Sequence, residues 1–296
     1  MMKNTLGLAA ALALGVANSV LAQTGLPTTQ PNLLQIFREE VKVGHAAEHE
    51  RVEVGWPAAY EKAKSPYYYL AFVSLTGTPE AWFVAPFDSH QAQGESMKFE
   101  RGNGVLAAEL ARLQRADADH LTNARSIQAI ARKELSHGTF PELAKQRFFE
   151  ITTFRVRPGH RDEFAAVAKL YGAAVGRSGA ATSYRVYEVI AGMPSPTFLV
   201  FSSMAAFGDF DKGMSNDETI MKTFTADDQK VLQKFFTEGL IGSDTQRFEL
   251  SPQMSYVSAE VRATDPAFWM PKKKPAVKTM TTEAPKPGPP SKPGSK

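Results

Sequence analysis

Two of the six histidines in this 296-residue chain, His45 and His160, stand 115 residues apart in matching surroundings. Each is followed three positions later by a glutamate, Glu48 or Glu163. An imidazole at a helix start sits at the positive end of the helix dipole, which favours its neutral form. It can then accept a proton or a ligand hydrogen bond near neutral pH. The stretch His45-Ala46-Ala47-Glu48-His49 also has the H-x-x-E-H spacing, in which two imidazoles one turn apart hold zinc and the glutamate activates water. The later stretch tests that idea, because Phe164 stands where His49 would have to recur. What the two stretches share is His-x-x-Glu, a carboxylate in a first helical turn, so no metal is expected. Tyr69 and Tyr184 match at the same offset, and Tyr187 follows on the same segment. Such tyrosines can line a cavity and hydrogen-bond a ligand, or serve ordinary sheet packing. The ligand-binding candidates are therefore His160, Tyr184 and Tyr187, with His45 and Tyr69 as their counterparts; no catalytic residue is assigned. If His160 is the working group, His160→Gln should remove function and spare the fold; if it only starts a helix, the reverse should hold.

These matches belong to a longer repeat. Residues 34–83 lie on residues 149–198 without a gap, with twelve of fifty positions identical, where average composition predicts roughly three by chance. The shared pattern predicts a strand (33–41 and 148–156), a helix (45–64 and 160–176), and two strands joined by a Gly/Pro turn (67–75 with 81–87, and 184–190 with 197–203). Pro57 should bend the first helix. A helix-prone region (103–123 and 217–239) and a last strand (126–135 and 245–256) follow, the offset there having grown to 119. The order β-α-β-β-α-β is the ferredoxin-like unit. Its four-stranded sheet carries helices on one face, so the bare face needs a cover, and a second copy supplies it. The fold class expected is α+β: two tandem units whose antiparallel sheets face each other as an α/β barrel. The second copy, with its denser Phe and Met content, is expected to keep the site.

The ends differ from this body. Residues 1–22 read as an export signal, with Lys3, an apolar run too short to span a membrane, and Val20-Leu21-Ala22 before the cleavage point. Residues 23–32 form a linker; 33–137 and 146–258 are the two units. The final stretch, 259–296, reads as a tail, of which residues 271–296 hold seven Pro and seven Lys, a composition that cannot bury enough apolar surface to order itself. The tail accounts for the formal net charge of +3, so no nucleic-acid surface is implied; an anionic envelope surface is the partner the Lys-Pro tail would suit. With no cysteine, thiol catalysis and thiolate metal sites are excluded. The mature chain is expected to be exported, periplasmic or secreted, without a transmembrane segment.

Val156-Arg157-Pro158-Gly159-His160-Arg161-Asp162-Glu163-Phe164 resembles the strand-to-helix junction of dimeric α/β-barrel proteins of the antibiotic-biosynthesis-monooxygenase and NIPSNAP types. The first copy carries a degraded version from Val41 to His49. The resemblance implies the barrel fold. It leaves activity open, because that superfamily includes cofactor-free oxygenases, haem-handling enzymes and members without known activity. The function expected is binding of a small apolar or aromatic molecule without obligatory catalysis and without a cofactor. The alternatives are a cofactor-independent or haem-handling oxygenase, for which haem would be the cofactor, and a structural envelope protein held by its basic tail.

Overall fold

Leu33–Val41 (β1) sends Leu34 and Ile36 to one face and a more polar series to the other, the period-two pattern of a strand with one buried face. The computed structural model describes residues 25–271; the stretch expected to be an export signal and the Lys-Pro segment lie outside the described residues. After β1 come Ala46–Glu53 (α1), Gly55–Ala63 (α2), Tyr69–Ser74 (β2), Glu80–Phe87 (β3), His90–Gly102 (α3), Gly104–Asp117 (α4) and Leu121–Ala131 (β4). The second half runs Phe148–Val156 (β5), Arg161–Ser178 (α5), Arg185–Ala191 (β6), Thr197–Met204 (β7), Asp209–Met221 (α6), Ala226–Lys234 (α7) and Leu240–Tyr256 (β8). Ala259–Thr264 (α8) and Pro266–Trp269 (α9) follow.

The eight strands close into one antiparallel barrel in the order β1-β3-β2-β8-β5-β7-β6-β4. Within it, β4-β1-β3-β2 and β8-β5-β7-β6 have the same internal order. Closure comes from β2 pairing with β8 and β4 with β6. Side chains fill the interior: Phe72 and Phe149 meet at 4.4 Å between ring centroids, and Trp82 and Phe248 at 5.3 Å. An eight-stranded barrel is just narrow enough for side chains to do this. The helices lie outside, over the outward-facing residues of each half.

The first-half helix does not bend at Pro57 but breaks ahead of it. α1 stops at Glu53, the residue four before the proline, whose ring crowds that carbonyl and whose nitrogen cannot donate to it. At the break, a side chain on Gly55 would run into Leu113 of α4, so the glycine also sets how closely the two helices meet. The region after β3 is helical from His90 onward, 13 residues before the expected start at 103. Ser89 caps α3 by accepting from the Ala92 N–H. β4 and β8 each begin five residues earlier than expected, and Lys133–Leu135 is a 3₁₀ turn rather than strand.

Strand register corrects the gap-free match of the two halves. Ile36 pairs with Val84, and Ile151, 115 residues on, pairs with Phe201 rather than Leu199. β7 is thus displaced by 117 residues from β3, and the turn after Gly192 is two residues longer. Phe198 is therefore the counterpart of Ala81, not of Phe83. A two-residue shift keeps every side chain on its face, which is why the simple alignment still paired apolar with apolar.

Two segments expected to be linker and tail are part of the folded body. Gln30 is buried and donates to the Val186 carbonyl. Val261 and Trp269 join the barrel core. The Trp269 indole donates to the Ala144 carbonyl at 3.1 Å, Asp265 pairs with Arg147 at 2.5 Å, and the Arg147 guanidinium lies 3.7 Å above the Phe268 ring.

Candidate functional site

The inward faces of β1, β2, β3, β5, β6 and β7 end at one mouth of the barrel in Leu34, Leu70, Phe72, Val84, Phe149, Tyr187 and Phe201. The N-terminal segment contributes Leu26, Pro27 and Pro31, and the connection between the halves contributes Phe140, Pro141 and Leu143. Together they line a partly open cleft with a cavity volume of about 80 Å³. The mouth is apolar because strand alternation sends every second residue of each half inward, and the two covering segments add proline and leucine. A largely apolar cleft with few polar groups is the usual form of a small-molecule site.

The polar groups at this mouth are few. Arg185 donates to the carbonyls of His137, Tyr184 and Gly138, which fixes the connection between the halves. Its Nε has no partner, and burial lowers its pKa below that of a free guanidinium. Tyr187 stacks edge-on against Phe201 at 5.7 Å, and burial raises its phenol above the ordinary range. Ser183 and Ser203 complete the rim.

The sequence candidates are distributed over several places. Tyr187 points into the barrel, and Tyr184 lies on the rim with its side chain turned outward into the core beneath α5. The Tyr184 hydroxyl, buried without a partner, stands against Gly172 of that helix, and burial pushes its pKa up to about 12. Tyr69 likewise points outward, among Tyr60, Phe83 and Tyr256. His45 and His160 precede α1 and α5, at the strand ends opposite the apolar mouth. His160 Nδ1 lies 2.6 Å from Glu163, and His45 Nδ1 lies 3.1 Å from His120 Nδ1. The structure thus gathers Tyr184 and Tyr187 at one mouth and leaves His45, His160 and Tyr69 outside it. Of the Phe and Met residues that marked the second half, Phe201 lines the mouth, whereas Phe207, Met214 and Met221 are exposed. The covering residues 26–31 and 140–143 went unrecognised because they lie outside the repeat.

A bound haem would need an axial His, Cys, Met or Tyr. The mouth's lining includes no His, Cys or Met, Tyr184 directs its hydroxyl away, and Tyr187 is 3 % exposed within the packed interior. These residues do not fit a haem.

No family model matches the chain, and no curated protein sequence matches it. Among solved structures it is similar to a monooxygenase-like protein from Fusobacterium nucleatum, with a TM-score of 0.48 and 12 % identity over 74 % of this chain and 92 % of the other. A monooxygenase-like protein from Lactobacillus acidophilus gives 0.46 and 11 % over 77 % and 99 %. A chlorite dismutase variant from Candidatus Nitrospira defluvii gives 0.45 and 11 % over 80 % and 96 %.

Proposed function

We propose that this protein binds a small apolar or aromatic molecule at the covered mouth of its barrel, without obligatory catalysis. The observation that carries this reading is the apolar cleft lined by both halves, with Arg185 among its few polar lining residues. An aromatic molecule with one hydrogen-bond acceptor would bury its ring against Phe72, Phe149 and Phe201. Burying apolar ligand surface contributes roughly 25 cal/mol per Å² before the cost of immobilisation.

We also infer that the two halves descend from one ferredoxin-like unit by tandem duplication, which the common strand order and the ten identities up to Gly77 and Gly192 support. Export to the envelope, with the Lys-Pro tail engaging an anionic surface, belongs to the same proposal and rests on sequence composition.

The test is a thermal-shift screen of the purified protein with small aromatic acids and hydrocarbons, repeated on Phe201→Trp, which fills the cleft. Ligands should raise the melting temperature of the natural protein and not that of the variant. A screen without shifts, or shifts that survive the filled cleft, would sink the reading; a Soret band in the purified protein would favour a haem-handling role.

A further inference from the structure

On the outer face of β1, beneath α1 and α4, four ionisable side chains converge. Glu39 comes from the strand, His49 and Glu53 from α1, and Asp117 from the end of α4. One donor atom from each lies within 4.8 Å of those of the other three. His49, Glu53 and Asp117 are 4 %, 3 % and 2 % exposed. Among the described residues no lysine or arginine forms an ion pair with any of the three carboxylates. His49 Nδ1 lies 3.0 and 3.1 Å from the two Asp117 oxygens, so it carries the proton and donates. That leaves His49 Nε2 buried and without a hydrogen-bond partner; Glu39 Oε2 is also buried and unpartnered.

The second half shows what packing alone would put here. The residues 115 positions after Glu39 and His49 are Phe154 and Phe164, whose rings meet at 5.6 Å beside Phe235. Ala168 takes the place of Glu53. The same fold is thus completed on one side by an aromatic core and on the other by three acids and an imidazole. Burying acids without a counter-charge is unfavourable. Desolvation pushes Glu53 up to about 9 and Glu39 up to about 7; His49 opposes the shift at Glu39, and neighbouring carboxylates add to both. A divalent cation at the centre removes that penalty.

We propose that Glu39, Glu53 and His49 Nε2 bind one divalent transition-metal ion of the zinc class, with Asp117 orienting His49 through its Nδ1–H. Two carboxylates and an imidazole suit such an ion better than magnesium or calcium, which take all-oxygen sets. A carboxylate holding the far nitrogen of a metal-bound imidazole fixes its tautomer and raises its basicity. The Tyr69 hydroxyl, buried and unpartnered nearby, is available to the carboxylates. With three protein ligands this deeply enclosed, the ion ties β1 to α1 and α4 and its effect is on stability. The H-x-x-E-H reading placed zinc on other residues: Glu48 faces solvent and His45 pairs with His120. Only His49 is common to both.

The experiment is titration of the chelator-treated, full-length protein with Zn²⁺ by calorimetry and thermal melting, with Co²⁺ absorption as a second readout. One Zn²⁺ per chain should bind and raise the melting temperature, and excess Mg²⁺ should not compete. Glu39→Gln and Glu53→Gln should each abolish stoichiometric binding and the intense Co²⁺ bands, while Asp117→Asn weakens binding by roughly 10- to 100-fold. The Gln variants should fold, since a buried amide needs no counter-charge; partly exposed Glu39 carries the test if Glu53→Gln does not. Absence of stoichiometric binding, or binding unchanged in the Gln variants, overturns the proposal.

Discussion

Glu80 shows how one side chain can hold an end of the barrel interior together. It is 2 % exposed, accepts from Arg38 at 2.8 and 2.6 Å, and accepts from the Trp82 indole at 2.7 Å. The Arg38 guanidinium also lies 5.1 Å from the Trp82 ring centre. Removing the acceptor leaves a guanidinium and an indole N–H without their partner. Glu80→Ala should therefore destabilise the protein by about 3 kcal/mol or more, read as a lower urea midpoint. Glu80→Gln, which can still accept one bond, should lose less. At the ligand site the residue-scale expectation concerns His160. It stands beyond the opposite strand ends, so His160→Gln should leave any ligand-induced thermal shift at the apolar mouth intact. Loss of that shift with an unchanged melting temperature would instead make His160 a working group.

At the scale of elements, β1 and β5 were legible residue for residue, and the hairpin strands to within one or two residues. β1 and β5 begin and end where the sequence places them, because each runs from apolar residues into a Gly that must turn the chain. Gly44 and Gly159 both adopt positive φ, +87° and +90°, as does each hairpin glycine, Gly77 at +78° and Gly192 at +88°. Their surroundings separate them. Nothing lies within 4 Å of a Cβ on Gly44, whereas one on Gly192 would collide with the Ser126 carbonyl oxygen. Gly44→Ala should thus cost about 1 kcal/mol for its backbone conformation alone. Gly192→Ala should cost clearly more, because β4 must move; thermal melting of the pair checks the order. What the sequence could not show is where polar helices begin. The stretch from His90 contains Gly94 and few apolar residues, so its 3.6-residue period is weak and only Ser89 announces it. The buried acids were hidden for a different reason. Glu39 and Asp117 are 78 positions apart, and only strand pairing and helix packing bring them to His49.

At the scale of the whole molecule, the mouth of the barrel is shaped by segments that carry no repeat. The C-terminal helices bury Val261 and Trp269 against the core and hold Arg147 through Asp265. Ending the chain after Ser258 should lower stability by roughly 3 kcal/mol or more, from two apolar side chains returned to water. The same truncation should increase binding of a hydrophobic dye. Unchanged melting and dye binding would mean that these helices only rest on the barrel. The barrel itself was foreseeable from two half-covered sheets, but its closure was not: β2–β8 and β4–β6 join residues that no local pattern relates.

That closure has a consequence for symmetry and for dilution. A barrel made from two separate identical chains would present every feature twice, related by a two-fold axis. Here both halves lie on one polypeptide, so the acids beneath α1 and the aromatic rings beneath α5 occupy corresponding places in a single molecule. Each half can be altered without imposing the change on the other. The partner sheet is always present at the effective concentration set by a short connection, not by the amount of protein in solution. The unfolding midpoint should accordingly stay constant over a hundred-fold range of protein concentration, where a barrel of two chains would fall apart on dilution.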